Sequence, residues 1–557
     1  MNLHTEEQYD LDRKEGSHIE ELDVPDSEHK LSRTAFTEAQ LDSLAKARPT
    51  LHVFRDNFKL CAIVVAVQAN GVILGLEYVL LGALVGVQAF CKTMGSYDES
   101  SAAYAVAAST LSLWAGLFGL MQFVGQMFAG WFADRYGRSK AIYLMVLNVY
   151  LGVLTEVLSR NKNDYTGAKI IMGTATGMMQ VVIPTYVAEI TPREIRGITI
   201  GFFSFNLSLG SLIGTLVTWA ANNSWGTDIN DNRSWKVPLY VGLAAPTITL
   251  IAMAILMPES PYWLVLKNRV SDAKKSLRRI HPNMTEDEIE RTANQLQYTV
   301  LKAFEIKKSS NATYMECLRG PNLRRTFSAI FPSLCQQLIG NQLVQSYSTY
   351  FFTVAELPNA LLGSVIVSCT GLGAAICAFF LIEIKTVGRW LLVFWGAVTI
   401  TLSMLAIGIV DSVDHGVYSA SAGSALVAFI AIFNAGTAVG PGVAGWSYAA
   451  EAGSARLRAK TATISVGCNA IIGTVTNIVI PFELDAIGAK TGYMFFGIGC
   501  LCLVFIYLWI PDVTGRTYAQ LDELFERRIP ARKFKTTECT GEYGKPSQRE
   551  IVTEKLP

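Results

Sequence analysis

The sequence predicts an all-α integral membrane protein, with twelve transmembrane helices in two six-helix halves and cytoplasmic amphipathic helices between them. Three observations predict it. The chain is 51% hydrophobic and only 17% charged, with a mean hydropathy of +0.31, too apolar for a soluble protein of 557 residues. Apolar runs follow one another, each near the about 20 residues that cross a hydrocarbon core of roughly 30 Å. One polar motif occurs twice at a constant offset of 262 residues, so that Tyr186, Glu189 and Arg196 match Tyr448, Glu451 and Arg458.

In chain order, residues 1–58 are polar and mixed in charge, with no apolar run after a basic start. They read as a disordered cytoplasmic tail rather than a cleaved signal peptide. The runs then fall at 60–85, 104–128, 141–160, 168–187, 199–220, 237–257, 327–351, 360–382, 390–410, 421–447, 462–482 and 491–510. This places an N-terminal half at 59–257, a linker at 258–325, a C-terminal half at 326–511 and a cytoplasmic tail at 512–557. In the linker, Ser271 is positioned to cap a helix through His281, and Thr285 with Glu288 has capping-box spacing.

An even number of spans puts both termini on one side, and basic residues choose the side. Arg135, Arg138 and Lys140 follow the second run, Arg193 and Arg196 the fourth, and Arg456, Arg458 and Lys460 the tenth. The positive-inside rule makes these ends, and both termini, cytoplasmic. The sequons at Asn222 and Asn232 then fall outside and are candidates for glycosylation, whereas those at Asn283 and Asn311 fall inside.

The composition also excludes function classes. Ten scattered cysteines have neither metal-ligand nor redox spacing, and a net charge of +1 with no basic tract gives no sign of a nucleic-acid partner. No nucleophile–base pairing or phosphate loop suggests an enzyme, and no cofactor is implied. The partners read from the chain are a lipid bilayer, a small substrate and protons, with the protein itself a monomer.

Glu77 is the most informative single residue. It lies in the middle of the first apolar run, where a carboxyl group facing lipid costs at least a few kcal/mol, so it should face a water-filled interior with a partner or a bound proton.

Several motifs resemble those of the sugar porter family of the major facilitator superfamily, over roughly residues 58 to 528. They are Gly130-Trp-Phe-Ala-Asp134-Arg135-Tyr-Gly137-Arg138, Pro184-Thr-Tyr186-Val-Ala-Glu189, Pro258-Glu259-Ser260-Pro261, Gln336-Gln337-Leu-Ile-Gly340 and Pro511-Asp-Val-Thr-Gly515-Arg516. Gly453-Ser454 with Arg456-Leu-Arg458-Ala-Lys460 is similar to the fungal alpha-glucoside (maltose-type) branch. The resemblance implies the major facilitator fold and a secondary transporter in which two parallel halves flank a site near the midplane.

Charged side chains at the cytoplasmic helix ends are expected to form a gate: Asp134, Arg135 and Arg138, Glu189 with Arg196, Glu259, Arg389, and Glu451 with Arg458. They would latch the halves when the protein opens outward and separate when it opens inward. Each exposed pair contributes about a kcal/mol or less, which suits a latch that must open every cycle. The second copy of the span-two motif departs from the family, with Lys385 in place of an acid and Thr386 in place of a base, leaving Glu383 as a substitute.

For the substrate, Gln336, Gln337, Asn341, Gln342 and Tyr347 put donor–acceptor groups in the seventh run, and amides suit a polyol because they provide both roles. Trp446 matches the family's cavity tryptophan; Asn434 and Asn469 are further candidates, with interhelical packing bonds the competing role. Ser204, with Asn206 nearby, stands where hexose porters carry a glutamine. The resemblance also pairs the Glu77 acid with a cation in the fourth run, here Lys169, whose point charge grips less firmly than an arginine fork. Together these residues suggest proton-coupled import of a mono- or disaccharide, with an alpha-glucoside favoured, across the plasma membrane. The alternatives are an uncoupled facilitator, a transporter-fold sugar sensor, and an importer of a non-sugar polyol or quinate-like acid.

Overall fold

The structure, a computed structural model, describes residues 57–539 except 100–102, 193–194, 310–312, 356, 358, 382–387, 415–418, 443, 454–456, 515 and 517. Residues 1–56 and 540–557 of the tails, with Arg193, Asn311, Glu383, Lys385, Thr386, Ser454, Arg456 and Gly515, lie outside the described residues, as do the side chains of Glu451 and Arg458.

Twelve spans follow the apolar runs. Span one is Phe58–Gln68 continued by Asn70–Val85, and spans two to five are Ala108–Tyr136, Arg138–Leu158, Lys162–Ile190 and Arg196–Trp225. Span six joins Arg233–Val241 to Ala244–Ile255, and span seven joins Gly320–Leu338 to Asn341–Val354. Spans eight and nine are Ala360–Leu381 and Arg389–Asp414. Span ten runs from Ala420–Thr437 through an irregular turn at Ala438–Gly442 to Ala444–Glu451. Spans eleven and twelve are Arg458–Ile487 and Thr491–Trp509.

By length and hydropathy alone, 10 helical stretches among the described residues are apolar enough to cross a membrane. One of these, Lys460–Trp509, is 50 residues long and holds spans eleven and twelve, which turn at Gly488–Lys490. Span seven falls short of that criterion because it is polar and broken. Gly340 has φ +96° at the break, a left-handed conformation that costs a side-chain-bearing residue about 1 kcal/mol or more. The break places Asn341 at the start of a new helix near mid-depth, the kind of discontinuity that transporters use at their sites.

The connections were less visible in the sequence. A short antiparallel hairpin, Ser96–Asp98 with Ala103–Ala105, lies between spans one and two. In the linker, Val270–Ile280 begins one residue before Ser271 and has Arg269 at its N-cap, so Ser271 is inside the helix and does not cap it. The expected box does form: Thr285 N–H donates to Glu288 Oε2 (2.9 Å), and Glu288 N–H to Thr285 Oγ1 (3.4 Å), opening Glu286–Ser309.

The halves meet mainly through spans one and seven, two and eleven, and five and eight. On the side away from the linker these contacts are close. A side chain on Gly82 would collide with the Ser346 carbonyl, Gly86 faces Thr349, and Gly119 faces Thr474. Ser112 Oγ donates to the Ile478 carbonyl at 2.7 Å, so a side chain of the first half is bonded to the backbone of the second there.

Candidate functional site

Span one brings Glu77 against span four, where Lys169 Nζ lies 3.0 Å from Glu77 Oε2. The sequence reading expected this pair. It did not anticipate a third member, Glu156 of span three, whose Oε1 is 2.8 Å from the same Nζ. The side chains of Glu77, Lys169 and Glu156 are 1%, 2% and 0% exposed. The Glu156 contact lies off the hydrogen-bonding direction, and among the described residues its carboxylate oxygens accept no hydrogen bond, so the ammonium charge is their compensation. Removing Lys169 from this cluster costs about 3–5 kcal/mol because it strands the two carboxylates.

Rings surround the ammonium. Lys169 Nζ is 5.1 Å from the Tyr165 ring centroid and 5.8 Å from that of Phe118. On the side away from the linker, Phe90, Trp114, Tyr165 and Trp235 form a buried aromatic cluster with centroids 4.8–6.2 Å apart. Trp114 Nε1 donates to Thr166 Oγ1 at 2.8 Å, which satisfies the indole and holds the plug in place. The charged cluster is therefore capped by apolar rings on that side.

On its other flank Glu77 borders a cavity between the halves. The cavity is lined by Glu77, Lys169 and Tyr78 from the first half and by Gln337, Gln342, Ser346, Trp446 and Asn469 from the second. A larger cavity adjoins it, sharing Tyr78, Gln337, Gln342 and Trp446 and adding Ser204, Gln336, Asn341, Gln345 and Asn434. The amides are arranged by one another: Gln342 Nε2 donates to Gln337 Oε1 (3.1 Å), and Ser346 Oγ to Gln342 Oε1 (3.3 Å). Asn434 Nδ2 donates to the Val367 carbonyl (3.0 Å) and Asn469 Nδ2 to Ser333 Oγ (2.9 Å), each leaving its carbonyl oxygen for other partners.

Two candidates stand elsewhere. Tyr347 is fully buried and its hydroxyl donates to the Asn477 carbonyl at 3.0 Å, so it ties span seven to span eleven instead of lining the cavity. Asn206 is buried beside Gly71 of span one, and its Nδ2 donates to the Phe202 carbonyl at 2.9 Å. Helical spacing for Tyr347, and a place near Ser204 for Asn206, did not show which neighbours these side chains meet.

Other cavity residues were missed. Tyr78 Oη accepts from Gln122 Nε2 and Gln180 Nε2, both at 2.8 Å, and Gln180 Oε1 accepts from Gln126 Nε2 at 2.6 Å. These glutamines were legible as amides in apolar runs, by the signal that identified Gln336 and Gln337.

On the linker side, Arg138 is the hub. Its guanidinium is 2.8 Å from Glu189 and 2.9 Å from Asp134 and donates to the Ala133 carbonyl. Glu259 accepts from the backbone N–H groups of Arg138 (2.8 Å) and Ser139 (3.1 Å), capping span three at its positive end. Arg135 lies over the Trp131 and Tyr136 rings. The expected Glu189–Arg196 pairing is replaced in the described bonds: Glu189 bonds Arg138 and Ser260, and Arg196 donates to the Thr191 carbonyl (3.1 Å). In the second half, Arg389 N–H donates to Thr514 Oγ1 at 2.8 Å. The sequon residue Asn222 sits in the last turn of span five, and Asn232 is exposed just before span six.

Twelve spans in two matched halves around a polar cavity define a membrane transporter of the major facilitator fold. The chain belongs to the Sugar (and other) transporter family, whose sequence model matches residues 61–525. It is 26% identical over 490 residues to the general alpha-glucoside permease of Saccharomyces cerevisiae strain S288c, covering 85% of this chain and 76% of that one. It is 25% identical over 502 residues to the yeast hexose transporter HXT17, covering 88% and 86%. Among solved structures, the fold is similar to an inward open conformation of the xylose transporter XylE from E. coli, with a TM-score of 0.67, 18% identity, and coverage of 84% of this chain and 99% of that one.

Proposed function

We propose that this chain is a proton-coupled symporter that imports a mono- or disaccharide by alternating access, with both termini in the cytoplasm and the plasma membrane as its site. The observation that carries the reading is that one cavity is bordered by an ion-paired carboxylate from one half and by a set of sugar-suited amides from the other. Protonation of Glu77 would release its hold on Lys169, and the loaded halves would then rock about the site. With the halves in close contact away from the linker, the described arrangement corresponds to a cavity shut toward the outside. The Arg138 bonds, which stay within the first half and the linker, suit a gate separated on the cytoplasmic side.

The substrate reading draws on the alpha-glucoside and hexose permeases among the relatives. An alpha-glucoside is favoured because the short side chains of Ser204 and Ser346 widen the cavity walls. The acid in span one weighs against an uncoupled facilitator. The test is alkalinisation of a weakly buffered suspension of cells expressing the protein, on adding maltose or glucose. The wild type is expected to take up protons with sugar, and Glu77→Gln to lose accumulation while keeping sugar exchange. A Glu77→Gln protein that still concentrates sugar would refute the coupling role.

A further inference from the structure

The coupling scheme uses Glu77 and Lys169 but leaves Glu156 without a task. Its position is specific. Glu156 lies behind Lys169 as seen from the cavity, is fully buried, and is absent from the cavity wall that Glu77 and Lys169 help to form. The titratable groups facing it are Lys169 and Tyr165 from span four and Glu77 from span one, while spans two and six contribute the Trp114 and Trp235 rings to the cluster around Tyr165.

Charge counting shows what a second carboxylate changes. With Glu77 and Lys169 alone, loading a proton onto Glu77 would leave a bare ammonium in the bundle, where an unpaired charge is strongly disfavoured. With Glu156 ionised at 2.8 Å, the same event leaves a neutral ammonium–carboxylate pair. We infer that Glu156 is the standing counter-ion of Lys169, holding the ammonium in place while Glu77 is protonated and so making that state of the cycle accessible. Glu156 is a positioning residue in this scheme: the proton binds the Glu77 carboxylate and leaves from it to the cavity, and Glu156 carries the charge that pairs Lys169 while Glu77 is neutral.

This inference rests on the symport reading, and its test separates the two. The purified protein in liposomes is assayed for uptake of labelled maltose and glucose driven by an imposed proton gradient, and for sugar–sugar counterflow without one. In Glu156→Gln, half-maximal driven uptake should move at least one pH unit to acid, because loading Glu77 now strands Lys169, and counterflow should shift to acid with it, matching wild type only at a pH low enough to load Glu77. Glu156→Asp should restore most of the profile. In a Glu77→Gln/Glu156→Gln double variant, where Lys169 has neither partner, counterflow should fall at least tenfold below that of Glu77→Gln alone.

An unchanged pH profile in Glu156→Gln overturns the inference, as does a double variant that exchanges sugar as well as Glu77→Gln. So does failure of Glu156→Gln to fold, since Glu77 and Lys169 remain a neutral pair in it. If the wild type moves sugar without protons, the symport reading fails, and the counterflow comparison still decides whether Glu156 partners Lys169.

Discussion

The two halves share a scaffold and divide the chemistry. On the linker side they are nearly superimposable in logic: Tyr186 Oη donates to the Pro258 carbonyl (2.8 Å), and Tyr448 Oη to the Pro511 carbonyl (3.1 Å). Deeper in the bilayer they diverge. At the 262-residue offset of that tyrosine pair, Lys169 corresponds to Ala431. At the 251-residue offset of Gly137 and Gly388, Glu156 corresponds to Ile407, and both second-half residues are buried. The second half thus has apolar packing where the first half keeps Lys169 and Glu156, and presents amides and Trp446 to the cavity instead.

The comparison is broken most directly at Lys169. Lys169→Met strands two buried carboxylates and should cost about 3–5 kcal/mol of stability. Ala431→Val, at the matching place, overpacks a neutral site and should cost about 1–3 kcal/mol. Thermal melts of the two variants in detergent decide between them, and equal losses would mean that the charged cluster is no more demanding than ordinary packing.

A smaller contrast lies at the linker-side caps. Glu259 accepts from the start of span three with a full charge, whereas Thr514 serves span nine with a neutral hydroxyl. Glu259→Gln should therefore cost more than Thr514→Val, in line with about 1.5–3 kcal/mol for bonds to charged groups against about 0.5–1.5 for neutral ones. Matching shifts in melting temperature would erase the distinction.

The smallest effects should appear in substrate affinity. Gln337→Ala removes one amide from the cavity, and at about 1 kcal/mol per hydrogen bond KM should rise roughly fivefold. Tyr347→Phe should leave KM within about twofold, because its hydroxyl is engaged by the Asn477 carbonyl. A larger rise in KM for Tyr347→Phe than for Gln337→Ala would return that tyrosine to the cavity wall.

What could be read in the sequence follows from what a bilayer demands of every residue locally. Hydrocarbon thickness imposes run length, so the spans were legible, and so was Glu77 as a charge that lipid does not tolerate, while Lys169 was reached through the family resemblance. Glu156 carried the same signal near the end of its run, but a lone acid there does not reveal which cation it meets. Asn206 and Tyr347 show the complementary difficulty: polar side chains were visible, yet the groups that answer them, the Phe202 and Asn477 carbonyls, are backbone atoms without a sequence signature.

By itself, then, the sequence determined the twelve spans, the duplicated motif and the family, because each depends on periodicity or on residues close together in the chain. Only the tertiary structure decided that Lys169 is shared between two carboxylates, that Arg138 gathers Asp134 and Glu189, and that the amides of span seven face Glu77 across one cavity. The physical reason is that the free energy of a buried charge is set by groups within a few ångströms of it, and here those groups come from different helices.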